Sequence, residues 1–464
     1  MADLPSALKR RIPALLGIWL SASVCACETT SPRPSVSTLP VSHPRSDLHK
    51  QQTVSSASLP SETLPPRDQQ PFTVSWTAPS SLPLSSDGNE LPVLPRFFTS
   101  LASLSQGERK QPVRVSWLGD SHTQPDIWTQ AVRTPFQERF GSGGLGFVHV
   151  GWKKWGYRHG MAELSVQGQW GIEPPRLLSV EPFDDGVLGL GGVRLVPQKG
   201  ATASVQARPG TLQGRARWEL AVRFRHGRGA LRIIPSEGSP WQVHADAQHT
   251  HVQDIGWVTT EPDSGFSMEV VEEGVEVFGV VAELEASGGV VFDVLGLNGA
   301  RVIHALGWNE TAWQQRLQRR APDLLVLAYG TNEAGIRNLS MQGHTQDLVA
   351  LIDRARIASP NADCLIVGTM DRGGDAMSEK VHVLNEAQKQ AAQLRGCAFW
   401  SAQVAMGGKA SMQRWQKENP PYATSDRVHL TVRGYQKLGN MLATDILQAF
   451  DAGTVRMVSE SITN

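Results

Sequence analysis

Val113-Arg114-Val115-Ser116-Trp117-Leu118-Gly119-Asp120-Ser121-His122 is the stretch on which the reading turns. The run Val113 to Leu118 is apolar enough for a strand buried on both faces, as parallel sheets require, and it breaks into a Gly-Asp-Ser-His turn. A second run, Leu324 to Ala328, breaks in the same way into Gly330-Thr331-Asn332-Glu333. Both turns then sit at strand carboxyl ends, the edge at which open α/β sheets bind ligands. Further strands are expected at Phe292 to Leu297, Cys364 to Gly368 and Ala398 to Ser401. Helical patterns lie between them: Phe97, Leu101 and Leu104; Ile127 to Phe140, with a kink or break at Pro135; Leu348 to Ala355; Val381 to Leu394; and Tyr435 to Ile446. Strands and helices alternating at these lengths predict an α/β fold, a parallel sheet between two helical layers.

The chemistry follows from a third segment, Asp426-Arg427-Val428-His429-Leu430. A serine hydroxyl is a weak nucleophile at neutral pH and needs a base, which in turn needs a group to orient it. Ser121, His429 and Asp426 are the candidates, since an Asp three residues before a His on one turn can hold the imidazole in the tautomer that faces a serine. Oxyanion donors are expected from the N–H groups of Ser121 and Gly299 and the side chain of Asn332. Asp120 is read as a brace of its loop and His122 as a hydrogen-bonded turn residue. His149, His159, His304 and His382 lack metal-ligand spacing, so neither metal nor cofactor is expected.

Gly119 to Gln124, Phe140-Gly141 through Gly146-Phe147-Val148, Asn298-Gly299-Ala300, Gly330 to Ala334, Met406-Gly407-Gly408 and Asp426 to Leu430 followed by Gly434-Tyr435 together resemble an SGNH (GDSL-type) hydrolase. Within that superfamily the likeness is to the peptidoglycan O-acetylesterase branch, over roughly residues 95–150 and 290–450. The resemblance implies a flavodoxin-like three-layer fold with Ser121 as nucleophile, Gly299 and Asn332 in the oxyanion hole, and Asp426 and His429 completing a triad. Glu333 departs from the pattern, which more often has Asp there.

Residues 151–289 break the α/β rhythm. Trp218, Leu220, Val222 and Phe224 alternate with polar positions, and similar period-two stretches occur at Leu231 to Ile234, Phe266 to Val271 and Val275 to Leu284. These are half-buried antiparallel strands, so the segment reads as an inserted β-sandwich of jelly-roll size. The resemblance implies a carbohydrate-binding-module-like domain that grips a glycan; the alternative is a wall of the active site or a packing element. Trp152, Trp155, Tyr157 and Trp170 are aromatic candidates for sugar contact without assignment.

The chain has 464 residues, enough for two or three domains at about 150 residues each. Lys9-Arg10-Arg11 followed by Ile12 to Val24 has the layout of an export signal, and Val24-Cys25-Ala26-Cys27 resembles a bacterial lipobox with Cys27 as the lipidated residue. The expected division is 1–27 signal, 28–92 disordered Pro/Ser/Thr-rich tether, 93–150 and 290–455 hydrolase domain, 151–289 insert and 456–464 tail. Cys364 and Cys397 each begin a core strand; in an oxidising compartment they could pair, but because neighbouring parallel strands rarely present disulfide geometry two free buried thiols are expected. Lys and Arg total 44 against 44 Asp and Glu. The densest basic cluster, Arg316 to Arg320, reads as a solvated helix face, so nucleic acid is not an expected partner.

The expectation is an exported, monomeric lipoprotein, anchored to a bacterial membrane in the periplasm or at the cell surface, that removes O-acetyl groups from peptidoglycan or another cell-envelope glycan. Alternatives left open are an acetylesterase or acetyltransferase on another extracellular polysaccharide, and a glycan-binding surface lipoprotein with a vestigial esterase site.

Overall fold

The computed structural model describes residues 73–79, 88–152, 156–173, 184–246, 251–285 and 288–457. The export signal, Cys27, most of the expected tether and Trp155 lie outside the described residues.

The strands in chain order are β1 (Val74–Thr77), β2 (Val113–Gly119), β3 (Gly144–Val148), β4 (Ala162–Gln167), β5 (Trp170–Glu173), β6 (Arg194–Pro197), β7 (Thr202–Ala207), β8 (Ala216–Phe224), β9 (Ala230–Pro235), β10 (Trp241–His244), β11 (Gln253–Thr259), β12 (Gly265–Glu272), β13 (Val275–Leu284), β14 (Val290–Gly296), β15 (Leu324–Ala328), β16 (Asp363–Gly368), β17 (Ala398–Ser401) and β18 (Thr454–Met457). The helices are α1 (Pro95–Ser105), α2 (Trp128–Phe140), α3 (Val302–Leu306), α4 (Glu310–Arg320), α5 (Thr331–Ala334), α6 (Met341–Ala358), α7 (Asp375–Arg395), α8 (Ala402–Ala405), α9 (Ser411–Lys417) and α10 (Val432–Ala452).

Strands β14-β2-β15-β16-β17 form a five-stranded parallel sheet. Strand side chains alternate between faces, and the two hydrophobic clusters divide along that alternation. Val115, Trp117, Leu324, Val326, Leu365 and Val367 pack with Phe97, Val132, Leu438 and Ile446 of α1, α2 and α10. Leu325, Leu327 and Ile366 face the other way, onto Leu351, Ile352 and Ala391 of α6 and α7. The result is the expected three-layer α/β/α arrangement. Pro135 does not break its helix; α2 runs through it, with Val132 and Phe136 buried on either side.

Two antiparallel sheets follow, β10-β9-β12-β7-β4 and β11-β8-β13-β6-β5, with β3 also paired to β13. Leu231, Ile233 and Met268 of one sheet share a core with Trp218, Leu220, Val222 and Val277 of the other. The β-sandwich is joined to the parallel sheet by buried charge. Arg320 of α4 donates to Asp293 of β14 at 2.9 and 2.8 Å and lies 2.8 Å from Glu283 of β13, while Arg114 of β2 holds the same Glu283 at 2.8 and 2.7 Å. Arg316 and Arg319 meet Asp254 of β11, and Arg319 also meets Glu219 of β8. The expectation of a solvated Arg316–Arg320 face is therefore corrected: α4 is docked on the sandwich because its guanidiniums match carboxylates on three sandwich strands.

Two further expectations are corrected. Residues 74–77, placed in the disordered tether, form β1 and pair antiparallel with β18. Trp76 anchors them, edge-on to Phe98 at 4.8 Å and donating its indole N–H to the Phe450 carbonyl at 2.8 Å. Cys364 and Cys397 are bonded, not free. The register of β16 and β17 pairs Leu365 with Ala398, which puts the preceding cysteines side by side with Cα atoms 4.8 Å apart.

Candidate active site

Three loops meet at the carboxyl edge of the parallel sheet because their strands are neighbours in register: Gly119 of β2 lies between Gly296 of β14 and Ala328 of β15. After β2 the chain turns tightly, with the N–H groups of Thr123 and Gln124 both bonded to the Asp120 carbonyl at 3.1 Å. Ser121 is carried on that turn. After β14, Leu297 to Ala300 closes a turn with an Ala300 N–H to Leu297 O bond of 3.0 Å. Gly299 occupies its third position at φ 78°, a conformation that favours glycine. After β15, Gly330 at φ 129° leads into Asn332; a Cβ there would lie 1.8 Å from Thr369 Oγ1.

Ser121 Oγ is 3.0 Å from His429 Nε2, and His429 Nδ1 is 2.7 Å from Asp426 Oδ2. Asp426 Oδ1 accepts from Thr424 Oγ1 at 2.6 Å and from the N–H groups of Val428 and His429 at 2.9 and 3.0 Å. Against the desolvation of its partial burial, the bonds from His429, Thr424 and these N–H groups hold the Asp426 carboxyl well below the usual range. The same bonds support Arg427 in a left-handed conformation at φ 54°, the bend that brings Asp426 back onto His429. With Nδ1–H given to the carboxylate, Nε2 is the acceptor for the Ser121 hydroxyl.

The expected oxyanion donors sit on the three loops. The N–H groups of Ser121 and Gly299 have no acceptor among the described residues. Asn332 spends one amide hydrogen on the Ala300 carbonyl at 2.9 Å, which ties it to the Gly299 turn and leaves the other. Asp120 is buried and takes hydrogen bonds from the His122 N–H at 3.0 Å and from Thr331; burial raises its carboxyl to about 6 despite them. It thus joins the first loop to the third. His122 bonds the Tyr435 hydroxyl at 2.8 Å, and burial, then the nearby His429 and Arg372, lower it to about 3, so it is a neutral packing residue. His149, His159 and His304 are buried, and among the described residues no His/Cys/Asp/Glu group could hold a metal ion.

Gln124 and Glu333 hold the Gly299 turn, roles that local sequence does not reveal. Gln124 Oε1 accepts the Asn298 N–H at 2.8 Å, and Glu333 Oε1 accepts the Val302 N–H at 2.9 Å. Burial raises Glu333 to about 7, opposed by the Val302 bond. Each lies within one of the family motifs, which is a signal of sorts, but a backbone partner 174 residues away from Gln124 leaves no local pattern.

Residues 278–437 match the GDSL-like lipase/acylhydrolase family. The matched stretch contains Gly299, Asn332, Asp426 and His429 and begins after Ser121. No curated protein matches the chain. Among solved structures, a peptidoglycan O-acetylesterase aligns with a TM-score of 0.64 at 24% identity, covering 77% of this chain and 96% of its own. Far more distant is a family two carbohydrate esterase from Cellvibrio japonicus, with a TM-score of 0.27 at 12% identity and coverage of 63% and 99%. The chain thus matches the GDSL-like lipase/acylhydrolase family over residues 278–437 and has the fold of a peptidoglycan O-acetylesterase, and both findings, with the site geometry, support a carboxylic ester hydrolase.

Proposed function

We propose that the chain is an exported serine esterase that removes O-acetyl groups from a cell-envelope polysaccharide, with peptidoglycan as the first substrate to test. The observation that carries the mechanism is the continuous contact from Ser121 Oγ through His429 to Asp426. Ser121 Oγ attacks the acetyl carbonyl carbon as its proton passes to His429 Nε2. The carbonyl oxygen becomes an oxyanion facing the N–H groups of Ser121 and Gly299 and the free Asn332 amide hydrogen. Collapse breaks the ester C–O bond, and His429 returns the proton to the departing sugar oxygen. Water then repeats the sequence on the acetyl-Ser121 ester, releasing acetate and restoring the hydroxyl.

A polymer-borne ester suits this site, since the side chains of His429 and Asp426 are 41% and 50% exposed and leave the serine approachable from solvent. The named activity of the peptidoglycan O-acetylesterase of like fold points to the same substrate. The basic and apolar start of the chain and Cys27 support export and lipid anchoring. Acetate release from O-acetylated peptidoglycan by the protein and its Ser121→Ala variant tests the reading. Release that survives the substitution removes Ser121 as nucleophile; release from xylan but not peptidoglycan moves the substrate to another glycan.

A further inference from the structure

We propose that Arg372 and Arg427 form an anion subsite on the rim of the active site, which receives a carboxylate carried by the glycan beside the acetylated sugar. This rests on the esterase reading above and names the substrate class it favours.

The two arginines belong to different loops that are tied together beside the triad. Arg372 follows β16 and donates from Nη1 to the carbonyl of Thr331, the residue before Asn332. The next residue, Gly373, donates its N–H to the Arg427 carbonyl at 2.7 Å. Arg427 in turn lies between Asp426 and His429 in the chain. Its Nε donates to Gln416 Oε1 at 2.9 Å, while both terminal nitrogens have no partner among the described residues. Arg372 keeps Nε and Nη2 in the same state. Its positive charge is felt at His122, which packs near His429 with ring centroids 5.3 Å apart.

Neither arginine meets a carboxylate in ion-pair contact among the described residues. Asp426, the carboxylate adjoining Arg427, is committed to His429 and Thr424. The contrast with Arg114, Arg316, Arg319 and Arg320, each paired where the parallel sheet meets the sandwich, is chemical as well as spatial. A guanidinium offers planar paired donors that match a carboxylate, and here those donors are left open on the loops that flank Asn332 and carry Asp426 and His429 instead of closing on a built-in partner. A neutral glycan would leave them hydrated; one with a carboxylate near the ester would be held by them.

The test uses the full chain and three acetyl esters: a small aryl acetate, a neutral acetylated xylo-oligosaccharide, and an acetylated muropeptide or glucuronate-bearing oligosaccharide. The expected result is a higher kcat/KM for the carboxylate-bearing ester than for the neutral one, an advantage that shrinks with added salt. Arg427→Gln and Arg372→Gln should each reduce the ratio of the two about tenfold, mainly through KM. Arg372→Lys should recover part of the loss. Arg427 is exposed, so its variant serves if Arg372→Gln folds poorly. Equal losses on neutral and acidic esters, or a wild type that does not discriminate, overturn the subsite while leaving the esterase reading intact. A wild type that cleaves only the aryl acetate overturns the glycan reading and the subsite with it.

Discussion

The molecule uses arginine and carboxylate in two opposite ways. At the seam between the parallel sheet and the sandwich, Arg114 and Arg320 close on Glu283 and Asp293, all largely withdrawn from water. At the carboxyl edge, Asp426 is half exposed and accepts hydrogen bonds from His429, Thr424 and two backbone N–H groups, while Arg372 and Arg427 have no carboxylate partner among the described residues. The seam binds two architectures into one body; the edge keeps its charge available. Buried charge must be matched within the protein, whereas charge left at a rim can be matched by a ligand.

This difference predicts that the two regions fail separately. Ser121→Ala should lower acetyl ester turnover by about 10⁴-fold or more with the melting temperature unchanged; a large drop in melting temperature would show that the edge also holds the fold. Arg320→Ala should act in reverse. It strands Asp293 and Glu283 in the seam and should destabilise by about 3–5 kcal/mol in denaturant titration, while the turnover of the folded fraction stays near wild type. If turnover collapsed as well, the seam would be part of the catalytic apparatus.

Asn332→Ala removes one proposed oxyanion donor and one tie to the Gly299 turn, and should lower kcat by about 10²- to 10³-fold. A change confined to KM would place Asn332 in binding alone. The smallest effect is expected from Glu333→Gln, read as the pH dependence of stability. Glu333 is raised from 4.5 to about 7 in the folded chain, so between those values the folded state binds more protons than the unfolded one. Its contribution is most favourable below 4.5 and is lost as the pH rises through about 7. Asp120, raised from 3.8 to about 6, acts in the same direction. The wild type should therefore lose more melting temperature between about pH 5 and about pH 8 than Glu333→Gln, and equal slopes would mean that Glu333 is already ionised at the lower pH.

The parallel strands are legible in the sequence because each is a short, largely apolar run, and β2, β15 and β16 end at a glycine or shortly before one, Gly119, Gly330 and Gly368. Ser121, His429 and Asp426, which the fold brings into contact, are legible as candidates because acyl transfer calls for those residue types and two of them share one turn. The docking of α4 is not. Arg316 to Arg320 looks like any solvated face until the carboxylates of β8, β11 and β13, all distant in sequence, are brought opposite. The disulfide escapes a sequence reading for a related reason. Strand direction argues against it, but the register between β16 and β17 sets the distance between cysteines 33 positions apart. Trp76 is hidden in a Pro- and Ser-rich stretch, and only the surface offered by Phe98 and Phe450 makes that segment a strand.

By itself the sequence determined the strands of the parallel sheet, their alternation with helices and the candidate reacting groups, since these depend on local periodicity and on functional-group chemistry. Only the tertiary structure decided which charges are neutralised within the chain and which stay open. The same structure set how Gln124 and Glu333 steady the Gly299 turn from either side. Those outcomes depend on distances of a few ångströms between residues far apart along the chain, and coulombic and hydrogen-bond energies are set by such distances rather than by sequence neighbours.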